Sequence, residues 1–188
     1  MKKIFTILAS TVLFSINAQV STNNTNNSGS SASAIGFLTT ASGDYSTASG
    51  YSTTASASYC TAMGYATIAS GSTSTALGVS TTASGDGSTS TGNQTIASAN
   101  NSTAMGASST ASGEVSTAMG YATTASGSTS TAMGLSTTAS GDISTAIGRG
   151  TTASDYGSLV IGQYNFSGSS VTNSATVFDL ENTAFVIG

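Results

Sequence analysis

Glycine recurs at positions 36, 50, 64, 78, 92, 106, 120, 134, 148 and 162, ten times in succession at a spacing of 14. A second mark falls midway, at Gly43, Gly71, Gly85, Gly113, Gly127 and Gly141, with Ala57, Ala99 and Asp155 in the remaining places. Each repeat is therefore two seven-residue halves, typified by Ser116-Thr117-Ala118-Met119-Gly120 and Thr123-Thr124-Ala125-Ser126-Gly127. A short fixed period means a solenoid, in which one turn cannot bury a core alone and stacking supplies it. Seven residues suit a short strand and a Gly-marked turn, whereas a helix needs roughly 10 or more. The expected fold is all-β: a flattened parallel β-roll or solenoid of 14-residue repeats, with two five-residue strands per turn. Nine turns at about 4.8 Å each give a rod of roughly 43 Å.

Side-chain parity then sorts the columns. Ala stands at every fourteenth place from Ala41 to Ala153 in one half. It does so from Ala34 to Ala146 in the other, with Ser90 and Val160 as exceptions. Both columns belong inside a thin roll that admits only small side chains, and the Ser or Cys two residues earlier shares their face. The opposite parity is the alternative, with Met inward, Ala outward and a monomeric roll. With Ala inside, one half presents Ile35, Met63, Leu77, Met105, Met119, Met133, Ile147 and Ile161 outward, interrupted by Ser49 and Thr91. The other half presents serine from Ser42 to Ser154. A soluble exported protein rarely leaves a continuous apolar stripe in water. These eight residues are therefore the expected contact between identical rods packed about a common axis.

Composition narrows the function classes. Charged residues are 5% of the chain, and there is no His, Trp or Pro. With no GxSxG elbow and no His to act as a base, an enzyme is not expected. The absence of Pro fits a stack in which every strand donates backbone hydrogen bonds. Met1-Lys2-Lys3 and the apolar run 4–16 read as a secretory signal peptide over 1–18, too short for a membrane span of roughly 20 residues. Without Lys2 and Lys3, Arg149 is the one base against seven acids, a net charge of −6. Nucleic acid is thereby set aside as a partner. Residues 19–32 lack a pattern and read as a disordered lead-in, 33–165 as the roll, and 166–188 as capping strands or the start of another segment. Within the last, Thr176–Leu180 and Thr183–Ile187 form the expected pair closing the roll's end.

Candidate sites are few. Asp44, Asp86, Glu114 and Asp142 follow the second-half mark but never on adjacent rungs, which avoids stacked like charges and does not suit a calcium ladder. No metal and no cofactor is expected. Cys60 stands in a column of serines as a near-isostere, and one cysteine cannot build a disulfide framework. After each first-half Gly comes a variable column that includes Tyr51, Tyr65, Tyr121 and Arg149. Tyr and Arg are favoured at interfaces, so these four are candidate ligand contacts. The alternative is that Tyr51 and Tyr65 stack on each other and cover the roll edge. A column of threonines from Thr47 to Thr145 raises a second function, ice binding or a purely structural surface, but that column shares its face with the Met stripe.

Ser116-Thr117-Ala118-Met119-Gly120 and Ser144-Thr145-Ala146-Ile147-Gly148, alternating with Thr-Thr-Ala-Ser-Gly units, resemble the head repeats of the trimeric autotransporter adhesins, the YadA-like family. The likeness covers about residues 33–165. It implies a left-handed β-roll, a homotrimer formed through one face, and display at the bacterial outer membrane. It also implies adhesion to extracellular matrix or other surfaces by multivalent contact. Complete family members continue into a coiled-coil stalk and a barrel anchor. The expectation here is a fragment or a shorter secreted relative, surface-bound if an anchor follows and extracellular otherwise.

Overall fold

The computed structural model describes residues 24–164 and the backbone of the strand Phe185–Ile187. A single repeat runs from the five-residue strand Thr61–Tyr65, through a tight turn, to the two-residue strand Ile68–Ala69. A longer turn then leads to the next five-residue strand, Thr75–Val79. Long strands stack into one 11-stranded sheet and short strands into a facing 10-stranded sheet. Pairing is parallel, and from Asn26 to Gln163 each strand residue lies opposite the one 14 later, as in Thr117↔Thr131 through Tyr121↔Leu135 and Thr124↔Thr138. The fold is thus a parallel β-solenoid of about ten turns.

The two strands of a turn are unequal, unlike the expected matched pair. In the short half the Ser-Gly pair already begins the turn. Ser70 and Gly71 both donate to the carbonyl of Ala83, at 2.9 and 3.3 Å. Two donors on one acceptor bring the regular ladder to an end there. In the long half the chain stays extended past Gly64 to Tyr65, and reverses only at Ala66, whose φ is 53°.

The turns are laddered as well. Ala66 N–H donates to Tyr51 O at 2.8 Å on one edge, and Tyr59 N–H to Asp44 O at 2.8 Å on the other. Donors are in use around the circuit, which is the physical reason that a chain with no Pro suits this stack.

The core is a single layer between the sheets. Ala48, Ala62, Ala118 and Ala125 are fully buried, as the inward parity requires. Some of the serines beside them close the longer turn: the Ser46 hydroxyl donates to Gly43 O at 2.6 Å and that of Ser102 to Ala99 O at 2.7 Å. Ser90, the interior exception, is hydrogen-bonded to the Thr95 hydroxyl at 2.8 Å. Alanines bury little apolar area per turn, so stability accumulates with the number of stacked turns.

The roll begins before residue 33. Asn26–Asn27 pairs with Thr40–Ala41, and Ser28 and Gly29 donate to Ala41 O. Residues 24–32 of the supposed lead-in therefore include half a turn. The signal was present in Ser28-Gly29, fourteen residues ahead of Ser42-Gly43. At the other end Phe185–Ile187 lies parallel on Leu159–Ile161. It extends the long sheet by one strand. The proposed partner strand 176–180 and the signal segment 1–18 lie outside the described residues.

Candidate binding surfaces

Alternation along each long strand turns one column outward from the sheet. Met63, Met105, Met119 and Ile161 are exposed, with Met63 at 45%. Ile35, Leu77, Met133 and Ile147 are half-buried in the same column. In-register pairing makes the stripe continuous, Met105 beside Met119 and Met119 beside Met133. Ser49 lies between Ile35 and Met63, and Thr91 between Leu77 and Met105. The Thr47 column runs half-buried along the same face. The short sheet instead turns Thr40, Thr54 and their equivalents outward beside exposed serines such as Ser42, with Ile68 and Ile96 as interruptions. One broad face thus carries an apolar stripe beside a threonine column, and the other is hydroxylic apart from Ile68 and Ile96.

The variable column lies along the tight-turn edge. Phe37, Tyr51 and Tyr65 form one stack, with ring centroids 5.3 and 5.1 Å apart. All three remain exposed, so they cover the roll edge and still meet solvent. Stacked rings hide their faces and present edges and hydroxyls. They suit polar or edge contacts better than a planar ligand. Tyr121 is exposed between Ala107 and Leu135, apart from that stack. Arg149 lies over the Tyr164 ring, its guanidinium 5.2 Å from the centroid, a cation–π contact that orients the charge.

A second aromatic stack on the opposite edge escaped the sequence reading. Tyr45 and Tyr59 are 5.1 Å apart and nearly parallel, both in the left-handed region at φ 57° and 60°. Their 14-residue spacing was visible, but they follow the irregular second-half mark, where nothing singled them out.

The acids have a structural task. Carboxylate oxygens of Asp44, Asp86 and Asp142 each accept the backbone N–H of the residue 14 earlier, Ser30, Ser72 and Ser128, at 2.8 Å. Asn100 does the same for Asp86 N–H at 3.1 Å. A short Asp or Asn side chain reaches down one turn and satisfies a donor that the backbone ladder leaves over. Among the described residues no group of three or more His, Cys, Asp or Glu gathers. Cys60 is buried, its thiol 2.9 Å from Ala57 O, and burial pushes its pKa up.

The YadA head domain repeat matches the chain eight times, at residues 28–53, 41–67, 55–79, 69–95, 97–123, 111–137, 125–151 and 139–165. These matches follow the structural turns and extend upstream of residue 33, in agreement with the early start of the roll. No curated protein matches the chain.

Proposed function

The chain belongs to the YadA head-repeat family, and from that premise we propose that it is the head of a cell-surface adhesin, assembled as a homotrimer through the stripe of the long sheet. The family is non-enzymatic, and its repeats build trimeric autotransporter adhesin heads. The stripe is the observation that carries the assembly. Burying the exposed part of one Met contributes roughly 1 kcal/mol, whereas association costs about 4–15 kcal/mol. One or two residues are therefore insufficient. Eight stripe residues, repeating with the rungs of an identical neighbour, can exceed that cost together.

In this reading Ile35, Met63, Leu77, Met105, Met119, Met133, Ile147 and Ile161 face the other two copies. The hydroxylic sheet and the roll edges face outward. Tyr51, Tyr65, Tyr121 and Arg149 then contact an extracellular-matrix or other surface ligand, and three copies add weak contacts into avidity. Beyond export across the inner membrane, the head stands at the outer surface of the cell where an anchor follows it, and outside the cell otherwise.

Sedimentation of the purified chain tests the assembly. Three chains per particle are expected, and the double variant Met105→Asp/Met119→Asp should sediment as one. A monomeric parent chain would overturn the trimer. Loss of attachment in Tyr51→Ser/Tyr65→Ser/Tyr121→Ser, with the trimer intact, is the expected mark of the ligand edge. Unchanged attachment leaves those rings as edge covering only.

A further inference from the structure

A surface that repeats every rung has an unwanted property: it matches a copy of itself at many offsets. The rungs of the long sheet are about 4.8 Å apart, and its stripe is apolar at eight of ten places. A neighbouring copy displaced by one rung would still lay apolar residue on apolar residue along most of its length. Something must distinguish the aligned arrangement from its slipped relatives.

We infer that the two polar places in the stripe, Ser49 and Thr91, fix the axial register and the parallel direction of the three copies. This rests on the trimer proposed above. They occupy the second and fifth of the ten five-residue strands, the strands Thr47–Tyr51 and Thr89–Asn93. In register, each hydroxyl meets its own counterparts, and a hydroxyl both donates and accepts, so a ring of like residues satisfies itself. A one-rung displacement sets both polar places against apolar stripe residues and deprives their hydroxyls of like counterparts, which is unfavourable. A three-rung displacement aligns Ser49 with Thr91 only by abandoning three rungs of overlap. Reversing one copy at full overlap matches neither place, because the second and fifth strands become the ninth and sixth, and a reversed copy pairs Ser49 with Thr91 only by abandoning four rungs of overlap. A lone polar residue in the apolar seam of a coiled coil fixes register by the same physics.

The strand of Thr91 departs from the repeat on its inner face as well. Ser90, its inward neighbour, replaces the usual Ala and is compensated by the 2.8 Å hydrogen bond to Thr95. That strand is polar on both faces. The inward departure is satisfied within the chain, and the outward one gains its counterparts from the other copies.

Disulfide trapping reads the register. In a Cys60→Ser background, which restores the ordinary residue of its column, chains carrying Met105→Cys are assembled with chains carrying Met133→Cys. Aligned copies hold the two cysteines two rungs, about 9.6 Å, apart in height. That lies beyond the ~7 Å Cα limit of a disulfide whatever the lateral gap, and a one-rung slip halves the height difference to about 4.8 Å. With Ser49 and Thr91 present, disulfides between like cysteines are expected almost alone. In Ser49→Met/Thr91→Met the mixed disulfide should rise by about tenfold or more, one layer mismatch being sufficient for that ratio. Ser49→Thr/Thr91→Ser, which keeps both hydroxyls, should hold the mixed product low. An unchanged mixed fraction in the double Met variant, still trimeric by sedimentation, overturns the register role. A monomer already in the Cys60→Ser background overturns the trimer itself.

Discussion

The two glycine columns look interchangeable in the sequence and differ in the structure. In both, an added Cβ would run into the carbonyl of the next turn: Gly50 O for Gly36, and Ala57 O for Gly43. The long-sheet column carries a second restriction, since Gly36, Gly50, Gly106 and Gly120 have φ of 123°, 127°, 107° and 132°. A side chain there is strained whatever space is made for it. The short-sheet column lacks that backbone requirement at Gly43, Gly71, Gly113 and Gly127. A crowded carbonyl can move with the longer turn that follows, but a disallowed dihedral cannot be relieved by moving a neighbour. The first column is accordingly glycine at all ten places, and the second admits Ala57 and Ala99.

Substitution measures the difference. Gly120→Ala should have the largest effect, lowering the stability of the roll by about 3 kcal/mol in urea unfolding. A loss below about 1 kcal/mol would mean that the dihedral is not the constraint. Gly113→Ala places the same methyl in the other column and should cost only about 1 kcal/mol. Equal losses at the two sites would erase the distinction drawn here. The smallest expected change has the opposite sign. Ile143 is exposed at φ 60°, where a β-branched residue is disfavoured by roughly 1–2 kcal/mol. Glycine restores that energy less its own entropy, so Ile143→Gly should raise stability by about 0.5 kcal/mol. Destabilisation instead would show that the Ile143 side chain contributes packing beyond its strained backbone.

Left-handed residues also mark where local reasoning stops. Gly87 and Gly157 occupy such positions in the longer turn, but so do Tyr45, Thr73, Val115 and Ile143 in equivalent turns. No local preference places Val or Ile there. Stacking does, because each such residue donates its N–H to the preceding turn, Val115 to Asn100 O and Ile143 to Ser128 O. The Asp bridges have the same character. Asp142 reads as a solvated acid until the turn below it brings Ser128 N–H within 2.8 Å.

For the candidate surfaces, alternation was enough to set Met63 and Met119 on the face opposite the alanines, because it is a local property of a strand, and the buried alanines decide that this face is the outer one. Whether Tyr51 and Tyr65 stand free or stacked was open, since ring contact depends on the distance between turns. The structure stacks them at 5.1 Å. Arg149 was legible as the one base after the signal segment, but its place over Tyr164 required the turn above it.

The sequence by itself determined the period, the number of halves, the alanine columns and the apolar column on the opposite face, with alanine inward as the favoured of two parities. All four follow from residue size and spacing along one strand. Only the tertiary structure decided the unequal strands, the left-handed turn residues, the carboxylate bridges and the different strictness of the two glycine columns. Each of those is a relation between residues 14 apart, and it exists only once one turn has been laid on the next.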